Sequence, residues 1–194
     1  MVDPVKFEGR RDMGNSSYQV LLYEFKADLN SYLSEHPLAP VKSLEEIIAF
    51  NESGKDKELP WFGQDIFKLA QGKGDLTTEE YRKALAESKR LAQAEGIDKV
   101  MKEHNLDAII APTNGPAWTI DWVNGDHFSG SSSSYPAIAG YPNITLPMGF
   151  VHGLPVGISF FGKAWSEPVL LKIAYAYEQA SKHRKMPGFM ETLK

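Results

Sequence analysis

The apolar residues of this chain change their spacing near residue 106, and that change constrains the fold more than any other feature. Before it, Tyr18, Leu21, Leu22, Phe25, Leu29, Tyr32 and Leu33 recur at three- and four-residue steps, the period of a helix with one buried face. The spacing predicts a long helix after the charged link Glu8 to Asp12 and Gly14, with its N-cap at Asn15-Ser16-Ser17 and its end at His36-Pro37. Ser43-Leu44-Glu45-Glu46 reads as a capping box opening a short helix through Ile47, Ile48 and Phe50. Residues 51 to 63 are polar and loop-like, and a brief helix around Asp65 to Ala70 stops at Gly72-Lys73-Gly74. Thr77-Thr78-Glu79-Glu80 caps a second long helix bearing Tyr81, Leu85 and Leu91, which Gly96 interrupts before a further helix from Ile97 to His104.

After residue 106 the apolar residues come in short runs bounded by Pro and Gly. Ala108-Ile109-Ile110-Ala111, stopped by Pro112, has the look of a buried strand. Asn143 to Met148 and Val156 to Gly162 are two further strand candidates, joined by a loop containing His152-Gly153. Pro136 to Gly140 fits one helical turn. Ser166-Glu167-Pro168 opens a last helix with Val169, Leu170, Ile173, Ala174, Tyr177 and Ala180 as its buried stripe. A helical segment (15–105) followed by strands interleaved with helices (106–194) predicts an α/β layer structure, read as one domain over 1–194.

Composition narrows the function. The net charge of -4 argues against a nucleic-acid binder. There is no cysteine, which excludes disulfides and thiolate metal sites and leaves the cytoplasm as the favoured compartment. No apolar run reaches the roughly 18 residues of a membrane span. Met1-Val2-Asp3-Pro4-Val5-Lys6 is not a signal peptide and reads as the end of a buried strand whose beginning is missing. The five histidines show no paired metal-ligand spacing, so neither a metal nor a cofactor is expected.

The stretch Thr113 to Ser134 is long, irregular and rich in Gly, Asn, Ser and Trp, and such loops are often functional. Trp118, Trp122 and Phe128 stand beside Asn114, Asn124, Asp126 and His127, an aromatic wall with a few polar groups. The substrate-pocket candidates are therefore Trp118, Asn124, Asp126, His127, Phe128, Ser131 and Ser132. The plainer alternative is a loop that folds back and buries its tryptophans. Asp126-His127 with Ser131 to Ser134 also invites a Ser-His-Asp triad, but adjacent side chains diverge, and the serines lack the strand-turn-helix setting of a nucleophile elbow. Gly72-Lys73-Gly74 lacks phosphate-loop spacing. From the residues alone the chain has a pocket and no convincing nucleophile.

Several segments read together resemble one family. Leu22 to Asn30, Leu106-Asp107-Ala108-Ile109-Ile110-Ala111-Pro112-Thr113, Tyr135 to Gly149 and Gly153-Leu154-Pro155-Val156-Gly157-Ile158 are similar, in order, to segments of the C-terminal portion of amidase signature hydrolases. Pro60-Trp61-Phe62-Gly63-Gln64, Gly115-Pro116-Ala117-Trp118 and Asn124-Gly125-Asp126-His127-Phe128 resemble its peptide-amidase branch. The resemblance implies part of an α/β/α fold with a mixed sheet, and hydrolysis of amides such as C-terminally amidated peptides. It also implies a catalytic serine, a bridging serine with a cis peptide bond and a lysine, all in the family's N-terminal half. Their Gly/Ser-rich signature does not occur in these residues, so no catalytic residue is carried over and the chain is expected to be inactive alone. The expected partners are the missing catalytic half or a second copy of the chain, without nucleic acid or membrane. The competing reading is a non-catalytic amide- or peptide-binding scaffold derived from such an enzyme.

Overall fold

The computed structural model describes residues 1–189. Its backbone contacts gather into two compact units, residues 9–91 and residues 1–8 with 92 onward.

The first unit is helical. Helix α1 (Arg10–Ser34) starts earlier than Asn15-Ser16-Ser17 suggests. Its N-cap is Gly9, in the left-handed region at φ 66, where a Cβ would also come within 3.1 Å of Leu91 Cδ2. Met13, buried in the extra first turn, anchors the early start. Helix α2 (Leu44–Ser53) begins at Ser43, whose side chain accepts from the Glu46 backbone N–H at 3.2 Å. The Glu46 carboxylate returns to the Lys42 N–H, one residue short of a standard capping box. The loop expected over 51–63 is partly helical, because α2 runs on to Ser53 and a single turn, α3 (Lys55–Glu58), follows. Helices α4 (Asp65–Gln71) and α5 (Glu79–Ala92) fall where the pattern places them. Leu22, Leu44 and Ala70 form the buried centre, with Phe25, Leu29, Ile48 and Phe67 around it. Two crossed bonds tie α1 to α5: Tyr23 Oη donates to Glu80 at 2.7 Å, and Tyr81 Oη to Glu24 at 2.7 Å.

The second unit holds the sheet. Gly96 breaks the helix as expected, at φ -103 and ψ -105 inside a π-turn over Gln93–Ile97, and α6 (Asp98–Glu103) resumes behind it. Strands β1 (Ile109–Pro112), β2 (Asn143–Val151) and β3 (Leu154–Phe161) lie in the order β1-β3-β2. Both pairings are antiparallel, so the parallel pair that a mixed sheet requires does not occur among the described residues. Pro112 closes the edge strand β1, where its missing N–H does no harm. The β2–β3 hairpin turns on His152 (φ 48) and Gly153 (φ 83), two left-handed residues as a type I′ turn needs. A bulge falls between Pro147 and Gly149.

Helix α7 (Ser134–Ala139) precedes β2, and α8 (Glu167–Ser181) packs on β2 and β3, with Tyr177 edge-on to Phe160 at 5.6 Å. The buried stripe of α8 is narrower than predicted. Leu170 and Ala174 are buried, Ile173 and Tyr177 half-buried, and Val169 and Ala180 exposed. Residues 1–8 pair with no strand among the described residues, against the sequence expectation. They run as coil over α7, with Phe7 on the Tyr135 ring at 4.2 Å and Tyr135 Oη donating to the Glu8 carbonyl at 3.1 Å. No helix among the described residues is long and apolar enough to cross a membrane.

Candidate functional site

The irregular stretch leaves the sheet at Thr113 and returns to it at Ser132. The Thr113 N–H donates to the Gly157 carbonyl at 2.8 Å, and the Ser132 N–H donates to the Thr113 carbonyl at 3.2 Å. A bridge between Asn114 and Ser131 closes the base of the loop. Above it Gly115 and Ser129 lie so close that a Cβ on Gly115 would overlap the Ser129 hydroxyl.

Two braces shape what lies between. Asp121 folds the tip into a turn: its Oδ1 accepts the Val123 and Asn124 N–H groups at 2.9 Å each, and its Oδ2 accepts the Asn124 side-chain amide at 2.9 Å. The Asn124 N–H, its side chain and the Val123 N–H, in that order, hold the Asp121 carboxyl down at about 2. Gly125 completes the turn at φ 78, its N–H on the Asp121 carbonyl. In the second brace Trp118 Nε1 donates to Asp126 Oδ1 at 3.1 Å, and the Trp118 ring meets Phe128 edge-on at 6.4 Å.

The candidates thus divide. Trp118, Asp126 and Phe128 form one connected group, with Trp118 half-buried and Phe128 59% exposed. Asn124 serves the Asp121 turn. Ser131 and Ser132 lie at the loop base, where Ser131 Oγ takes the Ser133 N–H at 3.1 Å and pairs with Ser133 Oγ at 2.8 Å. His127 is exposed, and among the described residues no hydrogen bond joins it to Asp126 or to any of the four serines. The triad geometry is thus absent among the described residues, and the partner of Asp126 Oδ1 is the Trp118 indole. The plainer prediction, tryptophans folded back into the core, does not describe Trp122 either, which is 56% exposed.

One cluster escaped the sequence reading. Below the loop Thr113 Oγ1 lies 2.5 Å from Thr145 Oγ1 and 2.8 Å from Ser159 Oγ, with Thr145 Oγ1 donating to the Ile158 carbonyl at 3.2 Å. Ser159 is fully buried and Thr145 exposed. The one signal for it was Gly157 inside a strand, because a Cβ there would stand 2.8 Å from Thr113 Oγ1 and 3.0 Å from Thr145 Oγ1. An open recess of 510 Å³ belongs to the helical unit, and Ser16, Lys83 and Arg90 are among its walls. No residue of the loop lines it.

The Amidase family model matches residues 1–171. The chain belongs to the amidase signature family. Among solved structures it is similar to the peptide amidase PAM bound to the competitive inhibitor chymostatin, at 45% identity and a TM-score of 0.88 over 95% of this chain and 38% of that one. It is also similar to native peptide amidase from Stenotrophomonas maltophilia, at 43% identity and a TM-score of 0.86 over 97% of this chain and 37% of that one. A probable amidase of Arabidopsis thaliana is 39% identical over 172 residues, 88% of this chain and 30% of that protein. The chain therefore spans about a third of the amidases it matches. The α/β class and the peptide-amidase likeness read from the sequence agree with these comparisons.

Proposed function

We propose that this chain forms the substrate-side wall of an enzyme that hydrolyses carbon–nitrogen bonds in amides, with C-terminally amidated peptides as its substrate class. The observation that carries the reading is the braced loop 113–134, which presents Trp118 and Phe128 on a fixed frame in a chain 45% identical to a peptide amidase. Trp118, Phe128 and Asp126 line the path of the peptide, Asn124 and His127 flank it, and Ser131 and Ser132 form its floor. The nucleophilic serine, bridging serine and lysine come from another stretch of polypeptide, so the 194-residue chain alone releases no ammonia. Apolar side chains such as Phe50 (57% exposed) and Ile66 (52% exposed) favour association with that stretch or with a second copy.

The test is a chimera in which residues 1–194 replace the matching portion of the Stenotrophomonas maltophilia peptide amidase. Ammonia release from a C-terminally amidated dipeptide is expected from the chimera and not from the chain alone. A chimera that folds, by circular dichroism, and releases none overturns the proposal. Tight binding of the peptide amide by the isolated chain would favour the scaffold reading instead. Size-exclusion chromatography that finds only a compact monomer would remove self-association.

A further inference from the structure

The hydrogen count of the Thr113–Thr145–Ser159 cluster has a single consistent direction. A carbonyl can only accept, so the one proton of Thr145 goes to the Ile158 oxygen. Thr145 therefore accepts at its contact with Thr113, and Thr113 supplies the proton. With its proton spent, Thr113 accepts from Ser159. The order is Ser159 to Thr113 to Thr145 to Ile158, and all three hydroxyl protons are used inside the protein. What remains at the open end is an unclaimed lone pair on Thr145, which is exposed, while Ser159 at the other end is fully buried.

Such a site seeks a donor. Its surroundings sharpen that preference, because no Lys or Arg occurs between Lys102 and Lys163, a span that covers the loop and all three strands. Within the loop, His127 is the one side chain able to carry positive charge, and the Asp121 and Asp126 carboxylates stand on the same loop. An anion finds neither a free donor at the cluster nor a fixed cation in the segment. A primary amide carries two N–H donors. The carboxylate that hydrolysis leaves behind carries none, and it could bind Thr145 only by drawing its proton away from Ile158.

We propose that Thr145 Oγ1, set by this chain of hydroxyls, is an acceptor site for the –NH₂ group of a primary amide and discriminates it from the corresponding acid. The inference rests on the proposed amide chemistry, and it adds the residue that tells substrate from product. Gly157 is part of the device, because any Cβ there would push on both Thr113 and Thr145 hydroxyls. Thr113 begins the loop, so the acceptor Thr145 is hydrogen-bonded to the residue from which the aromatic wall departs.

The probes are N-acetyl-phenylalanine amide and N-acetyl-phenylalanine, titrated into the ¹⁵N-labelled 194-residue chain and followed by NMR. The amide is expected to shift the Thr113, Thr145 and Gly157 resonances, with the acid at least about tenfold weaker. Thr145→Val, which keeps the shape and removes the lone pairs, is expected to abolish the preference, and Thr145→Ser to restore it. If the valine variant does not fold, Thr145→Ala is read in its place. Equal shifts from the acid, no shifts from the amide up to about 50 mM, or an unchanged preference in the valine or alanine variant would each overturn the proposal. An active chimera with a silent titration sinks this inference alone, and an inactive chimera with an amide-selective titration sinks only the enzymatic reading.

Discussion

Replacing Gly157 by Ala tests the packing on which the donor-seeking site depends. The new methyl would stand 2.8 Å from Thr113 Oγ1, 3.0 Å from Thr145 Oγ1 and 3.1 Å from Thr113 Cβ, where non-bonded heavy atoms prefer about 3.5–4.0 Å. Thr113 cannot readily step back. Its hydroxyl is held by Thr145 and Ser159, and its N–H is bonded to the carbonyl of Gly157 itself. Gly157 is not among the residues with positive φ, so alanine meets no backbone strain and should gain about 0.5–1 kcal/mol over glycine from the less flexible unfolded chain. Overpacking of a filled site costs about 1–3 kcal/mol. The net is a loss of about 1–2 kcal/mol, or a Tm lower by about 2–8 °C for a chain of this length. Thermal melts of the full chain by circular dichroism read the shift. The two sites should also be coupled: in a Thr113→Ala/Thr145→Ala background most of the loss should vanish, leaving the contact with Thr113 Cβ. A Tm that rises in the single variant would refute the argument, since the backbone gain alone gives that sign.

Three further outcomes are expected. Ser43→Ala removes the acceptor that caps α2 and should lower stability by about 1 kcal/mol in urea denaturation, whereas Ser43→Gly should lose only a few tenths. Asp121 has its carboxyl held below the ordinary 3.8, so the turn it braces is intact above that value and is lost as pH falls through about 2. The Val123 and Asn124 amide shifts should titrate with that low midpoint, and a midpoint at the ordinary value would show that the brace does not form. Tyr141→Phe deletes the 2.9 Å bond from Tyr141 Oη to Asp98 and should cost about 1–2 kcal/mol by urea midpoint. Burial first, and the Asp98 bond second, push the Tyr141 hydroxyl up to about 12. Its contribution is thus whole below the unfolded value of about 10 and is lost as pH rises through the folded one.

Local signals carried the fold a long way. Ser43, Gly96 and the His152-Gly153 turn each act within a few residues of themselves and are found doing what their chemistry suggests. The run up to Pro112, by contrast, forms its strand at the sheet edge, with Ile110 53% exposed instead of buried. The misses have a different character. Asn15-Ser16-Ser17 can cap a helix, but Gly9 provides a left-handed start further back and Met13 finds a buried place. Whether Met13 is buried depends on neighbours distant in sequence, which no cap rule contains. The hydroxyl cluster was invisible for the same reason. Its members lie on three segments 32 and 46 residues apart, and they meet only once the register pairs Ser159 with both Ala111 and Thr145.

The loop argues its own case through its bracing. A segment that buried its aromatic residues would draw its order from the core, and internal hydrogen bonds would add little. Here Asp121 spends both carboxylate oxygens on the tip and Asp126 fixes the Trp118 indole, while Ile120 and Val123 remain 80% and 91% exposed. Order without burial costs conformational entropy that apolar contacts do not offset. Such an arrangement makes physical sense when the shape is needed before the ligand arrives, since a preformed wall spares binding the penalty of ordering it. The bracing therefore weighs toward the pocket reading. It also locates the decisive perturbation, because Asp126→Leu should free Trp118 and weaken binding of the aromatic peptide amide, while Asp126→Asn, which keeps an acceptor for the indole, should not. Equal loss in both variants, measured by the same NMR titration, would mean that the Asp126 charge acts directly and that the brace to Trp118 is incidental.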